Sequence, residues 1–373
     1  MRAAAARALV RSALRVARGA PDEGARRAIR DEIRRHAESN ASAASRGGAA
    51  AAARGRVAAL ARHAGATFEL PTRAIEIAAT AGEGGGNVTL FANARVGRNA
   101  RVVETPFASW ATRSATFAER AGPRDFLAAF EPGTVRETVA LMMHTLSEKK
   151  ADESASSYAA SCLPESFRFV DACLNEADVQ ALAGTETESR ARSRGEFVRK
   201  LSAMSKIPVA DIAWALGAVS SRAMKSAAVP EFALVPGCDL LDHHPQPNCE
   251  VRRDGGSTPD VYVATTRDIA PGEALTISYG NLGNDRALRM YGFSDAAFFK
   301  NDTRRSGVHP SNESAFAKTL DAQSLDEWLA DRSSWCRDVP GQKGEDDEWF
   351  RHVSILRRGQ TEIIDAYVRA LDC

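Results

Sequence analysis

In the stretch TVRETVALMMHTLSEKK, the apolar residues Val135, Val139, Met142, Met143 and Leu146 recur at helical spacing, which predicts an amphipathic helix whose stripe packs into a core. PVADIAWALGAVSSRAMKS repeats the signal: Pro208 can open a helix, and Val209, Ile212, Leu216 and Val219 share a side. A shorter helix is predicted over NEADVQALAG, with Asn175 as its N-cap and Gly184 as its stop. Elsewhere the period changes. NVTLFANARV and ARVVETP read as two short strands around a turn at Gly97, the second ended by Pro106. FALVP, CEVRR, VYVATT and ALTISY are further short β-branched or alternating runs, separated by the turn signals DGGST and APGE. In the last of them Leu275, Ile277 and Tyr279 alternate onto one face, so the Tyr279 phenol should point the way its buried neighbours do.

The ends of the chain are of a different kind. Residues 1–55 form an extension rich in Ala, Arg, Gly and Ser, and a globular pattern begins near Val57. The first twenty residues carry five arginines and no acid, which fits either an organelle transit peptide, and so a plastid or mitochondrial location, or an Ala/Arg-biased tail on a cytoplasmic protein. From about residue 310 the pattern is helical again. Ser324 and Glu327 fit a capping box, and Trp349, Phe350, Val353, Leu356, Ile363, Ile364, Tyr367, Val368 and Leu371 supply a helix pair or one helix interrupted at Gly359.

Composition narrows the class without choosing an activity. The chain has 373 residues, enough for two folded units, and 49 Lys and Arg against 48 Asp and Glu leave no field to recruit nucleic acid. No run of about 18 apolar residues is present to span a bilayer. The six cysteines show no CxxC pair, as expected of reduced thiols.

Chemistry concentrates in DLLDHHPQPNCEV, Asp239 to Val251. His243 and His244 are consecutive, so they diverge on either a helix or a strand and cannot easily clamp one ion, while Pro245 and Pro247 should keep the segment out of both elements. A metal site from Asp239, His243 and Cys249 would need the loop to fold back, and no GxSxG elbow marks a nucleophilic serine. The next unusual block is IAPGEALTISYGNLGNDRALRMYGF, a strand ending in tyrosine, a Gly/Asn turn and a short helix.

Together these two blocks resemble the SET-domain protein methyltransferases, and within them the branch that includes Rubisco large-subunit lysine methyltransferase and actin-histidine methyltransferase. DLLDHHPQPNC stands at the family's DxxNH and NHSCxPNC position, PGEALTISYG at its GEE(L/V)xxxYG position, SSRAM at its SRAF element and NDRALRMYGF at its SNAELxxxYGF. Upstream, GGGNVTLFANARVGRNARVVETP is similar to the opening GxGLFAxxxIxxGEVLxxIP motif, YAASCLP to the phrase YLxxLP, and LNEADVQALAG to EELxxLxGT. The likeness runs from about residue 57 to 300. It departs from the pattern at Asp242, where the family has asparagine, at NVT, where the family has its opening glycines, and in a shorter terminal helical block.

The resemblance implies an α+β fold: a β-rich SET domain at 56–300, with short sheets, knotted threading and a helical insert at about 107–205, followed by a short all-helical, substrate-binding-like domain at 301–373. It implies a monomeric enzyme that uses S-adenosyl-L-methionine to methylate a lysine, or else a histidine, of a protein substrate. Asn87, Val88, Thr89, Leu90, Ser221, Arg222, Asp242, His243 and Tyr291 would bind the cofactor. Arg222, Tyr279, Tyr291 and Phe293 would meet the substrate, with Tyr279 in the catalytic position. Two other readings remain open: a SET-fold protein-binding module without turnover, and a metal-dependent hydrolase that uses the histidine pair.

Overall fold

A computed structural model of the chain describes residues 55–64, 67–79, 88–110, 112–113, 127–151, 157–167, 170–183, 185–230, 232–255, 260–295, 298, 349 and 351–359. The transit-peptide reading, Asn87, Gly184, the Ser324 capping box and the apolar positions Phe350 and Ile363 to Leu371 lie outside the described residues. By contact the chain divides into Met1–Gly55 with Ala79–Asn87, and Arg56–Ala78 with Val88–Cys373; the second unit holds both motif blocks and the helices between the strands.

Helices form where the periodic stripes lie. Helix α1, Thr134–Ala151, buries Val139, Met142, Met143 and Leu146, together with Ala140 and Leu141. Val135 departs from the expected stripe and is 55% exposed. Val209, in the first turn of α5 (Val209–Arg222), behaves likewise at 49%, while Ile212, Leu216 and Val219 are fully buried. Both valines keep the helical phase but sit in a first turn, where the helix has run past the elements it packs on. α1 and α5 pack on each other, and Lys150 of α1 reaches Asp211 of α5 at 2.8 Å.

Between them lie three helices: α2 (Tyr158–Ser161), α3 (Glu176–Ala181) and α4 (Glu186–Ser205). Asn175 caps α3 as its sequence predicts: its side chain accepts from Asp178 N, and the Asp178 carboxylate accepts from Asn175 N. α4 starts on Thr185, whose hydroxyl oxygen accepts from Glu188 N, and ends on Lys206 in the left-handed conformation.

Among the described residues the strands are short and belong to four small sheets. β1 (Ile75–Ala79) pairs with β2 (Val88–Ala92), and β4 (Thr112–Arg113) with β5 (Ala233–Leu234). β3 (Arg101–Thr105), β8 (Val261–Thr265) and β7 (Cys249–Arg253) form an antiparallel sheet in that order. The two strands flanking Gly97 therefore form as expected but do not pair with each other. β2 instead lies along residues 272–275, where Leu275 N donates to Leu90 O at 2.8 Å and Ala92 N to Glu273 O at 2.9 Å.

β6 (Asp242–His243) runs parallel to β9 (Thr276–Ile277), pairing Asp242 with Thr276 and His243 with Ile277. This corrects the expectation of an irregular histidine segment. The prolines at 245 and 247 lie just beyond the pairing, and His244 still has an N–H to donate to Ile277 O at 3.1 Å. Asn248 clips the same two segments: its amide donates to Ala274 O at 2.8 Å and accepts from Thr276 N at 2.8 Å.

Helix α6 (Asn284–Tyr291) ends on Gly292 in the left-handed region at φ 80°. It has two faces. Leu288 packs with Val179, Leu182, Ala191, Trp349, Val353 and Leu356, while Ala287 and Tyr291 belong to a group around Leu282 and Phe298. Thr187 of α4 donates to Asp285 at 2.8 Å and fastens the first face. The helix at 351–359 includes Gly359, and the residues after it lie outside the described ones. That helix holds the end of α6 by another route, since Ser294 N donates to His352 Nδ1 at 3.1 Å.

Candidate active site

Three successive main-chain carbonyls organise the site. Gly237 at φ 80° turns the chain into the short 3-10 segment Cys238–Leu240, and a Cβ at this glycine would lie 2.8 Å from the Phe68 ring, so only glycine fits. Beyond it, Asp239 O accepts from Arg222 Nη1 at 2.8 Å, Leu240 O from Thr89 Oγ1 at 2.8 Å, and Leu241 O from Tyr279 Oη at 2.6 Å. Candidate residues from α5, from β2 and from the segment after β9 thus converge on one turn. The three carbonyls belong to buried residues, so each bond satisfies an acceptor that would be costly to leave unpaired.

Tyr279 stands among aromatic rings. Its centroid is 4.7 Å from Tyr291 and 5.3 Å from His243, and His243 is 5.5 Å from Phe298 and 6.5 Å from Phe293. Burial, reinforced by the Asp242 carboxylate, pushes the Tyr279 phenol far above its ordinary range, so it keeps its proton at neutral pH. That proton is committed to Leu241 O, which leaves the oxygen lone pairs to accept from a donor.

His243 Nδ1 accepts the main-chain N–H of Tyr279 at 3.0 Å, which places the ring proton on Nε2. Burial lowers its pKa, with His244 adding to the fall. His244 is exposed and turned onto the main chain of Gln246. The Cys249 thiol is buried and pushed up to about 12 by desolvation. Asp239, the third member of the conceivable metal set, is engaged by Arg222 and Tyr158. Among the described residues no group of three His, Cys, Asp or Glu is placed to hold a metal ion.

The other candidates surround this turn. Val88, Thr89 and Leu90 are buried, with the Thr89 hydroxyl and the Leu90 carbonyl already bonded. The Thr89 hydroxyl, in the NVT stretch that departs from the family's opening glycines, is therefore engaged in a structural bond. Ser221 donates back to Gly217 O at 2.7 Å within α5. Arg222 is largely buried, and its Nε has no hydrogen-bond partner among the described residues. Asp242 and His243 lie side by side in β6, and Tyr291 and Phe293 stand 6.2 Å apart at the end of α6.

Sequence reasoning assigned no role to Tyr158, Asn248 or Phe298. Asn248 sits in the PNC phrase and was legible as part of a motif, but its partners 25 to 28 residues away were not. Phe298 carries no local signal at all.

The SET domain family model matches residues 88–280 of this chain. A chloroplastic [fructose-bisphosphate aldolase]-lysine N-methyltransferase of Arabidopsis thaliana is 25% identical over 256 residues, 62% of this chain and 51% of its own length. The chain thus spans about half the length of that curated relative. Among solved structures, the SET domain of LSMT bound to lysine and AdoHcy superposes with a TM-score of 0.60 at 14% identity, covering 86% of this chain and 91% of that one. Rubisco LSMT bound to AdoMet gives 0.58 at 14% identity, covering 85% and 92%. With more than half of its residues inside the family match, and with its two motif blocks joined through β6 and β9, this chain belongs to the SET domain family.

Proposed function

We propose that the chain is an S-adenosyl-L-methionine-dependent protein N-methyltransferase that acts on lysine. The observation that carries this reading is the neutral Tyr279 phenol, fixed on Leu241 O at 2.6 Å and flanked by the rings of His243 and Tyr291. The residues present fit the cofactor. A buried guanidinium with an unpartnered Nε suits the carboxylate of an amino acid, and aromatic faces suit a sulfonium. Arg222, Asp242, His243, Tyr291 and the main chain of Val88 to Leu90 would hold it, with Ser221 beside Arg222 and Asn87 preceding the strand. When bound, it supplies a methyl group made electrophilic by the attached sulfonium.

The chain's own part is to present the acceptor nitrogen. A lysine amine must lose its proton before it can attack, and its unperturbed pKa of about 10.4 opposes this. The apolar rings of Tyr279, Tyr291 and Phe293 would disfavour the ammonium of an acceptor brought among them and lower that pKa. The Tyr279 oxygen then accepts from the amine and sets its direction, so that alignment rather than a strong base supplies the acceleration. The residues from 301 onward would present the protein substrate.

The test is transfer of labelled methyl from the cofactor into a cell lysate, followed by mass spectrometry of the product. Methyl-lysine is the expected result. Methyl-histidine would move the reading to the histidine acceptor, and cofactor binding without any transfer would favour a binding module.

A further inference from the structure

Tyr158 lies in the YAASCLP phrase, away from the aromatic group around Tyr279. It is buried, and its hydroxyl donates to Asp239 Oδ1 at 2.5 Å while accepting weakly from Gly237 N at 3.4 Å. Asp239 is also the partner of Arg222, but the pairing is incomplete. The guanidinium donates at 2.8 Å to the Asp239 main-chain carbonyl, whereas the carboxylate Oδ2 stands 3.5 Å from the same Nη1. An arginine and an aspartate in contact ordinarily close into a two-pronged pair with bonds near 2.8 Å. Here one carboxylate oxygen is already taken by the phenol, and Nε of Arg222 is left buried without a hydrogen-bond partner among the described residues.

We propose that Tyr158 is a positioning residue: by holding Oδ1 of Asp239 it stops carboxylate and guanidinium from closing on each other, and so keeps the Arg222 Nε edge open to the carboxylate of a ligand. The inference rests on the reading of Arg222 as a cofactor-carboxylate residue. The same pair also acts on a second buried guanidinium. Arg56, buried and donating to Cys162 O at 3.1 Å, feels both the Arg222 cation and the Asp239 anion, and burial together with Arg222 lowers its pKa to about 10.

The experiment compares two probes by calorimetry: S-adenosylhomocysteine, which carries the carboxylate, and 5′-deoxy-5′-methylthioadenosine, which lacks the amino-acid portion. Tyr158→Phe should weaken the first at least tenfold and the second less than twofold. Added to Arg222→Ala, it should weaken the first by less than twofold more, because both changes remove the same contact. Equal losses for the two probes, additive losses in the double variant, or unchanged affinity would overturn the proposal. Failure of the unsubstituted chain to bind S-adenosylhomocysteine would overturn the cofactor reading itself and this inference with it. Should Tyr158→Phe not fold, the 15N–1H resonance of Arg222 Nε in the unsubstituted chain, assigned through Arg222→Lys, decides. It should move with S-adenosylhomocysteine and not with the methylthio compound, and an unmoved signal overturns the proposal.

Discussion

The main-chain N–H of Tyr279 ends on Nδ1 of His243 at 3.0 Å, so Tyr279 is held in place by an imidazole that must remain neutral to accept. Burial already lowers the pKa of this ring below its ordinary value. A lowered histidine pKa means that its contribution to stability is complete above the unfolded value of about 6.5 and is lost as the pH falls below that value, through the pKa of the folded state. NMR titration should find His243 titrating below 6.5. Thermal melts should decline less steeply below that pH in His243→Asn than in the unsubstituted chain. A ring that titrates above 6.5 would contradict this account.

Arg222→Ala should weaken S-adenosyl-L-methionine binding at least tenfold, since a charge-assisted bond from a buried guanidinium is worth about 1.5 to 3 kcal/mol. Calorimetry measures this directly. An unchanged dissociation constant would remove Arg222 from the cofactor pocket.

Tyr279→Phe removes a hydroxyl that bonds to the Leu241 carbonyl and keeps the ring between His243 and Tyr291. Turnover should fall roughly a hundredfold, the cost of mispositioning an acceptor, while cofactor affinity changes by less than about threefold. Equal turnover in the two proteins would mean that the phenol does not direct the amine.

Asn248→Ala should destabilise the fold by about 1 to 3 kcal/mol in urea denaturation. It strands the Thr276 N–H and the Ala274 carbonyl, which the Asn248 amide satisfies in a nearly solvent-free position. A loss below about 0.5 kcal/mol would show that water takes over both groups.

What could be read from the sequence depended on the range of the signal. The stripes of α1 and α5 and the cap at Asn175 repeat over a few residues, so local spacing located them. Val135 and Val209 were misplaced because a helical period says nothing about where the packing partner ends. The pairing of β6 with β9 was out of reach, since two residues have no period and the partner lies more than thirty positions away. The phenol of Tyr279 faces inward as the alternation with Leu275 and Ile277 requires, whereas its bond to Leu241 is set by the path of the chain. The same holds for Tyr158 and Asp239, 81 positions apart.

Helix α6 packs one face against Trp349 and residues of α3 and α4 and carries Tyr291 against Tyr279 on the other side. Val179, Leu182 and Val353 therefore support the helix that carries Tyr291 while standing outside the group of residues around the phenol. If the chain methylates a lysine as proposed, selectivity for that acceptor could be retuned from a distance, through positions that a comparison confined to the motif blocks would pass over.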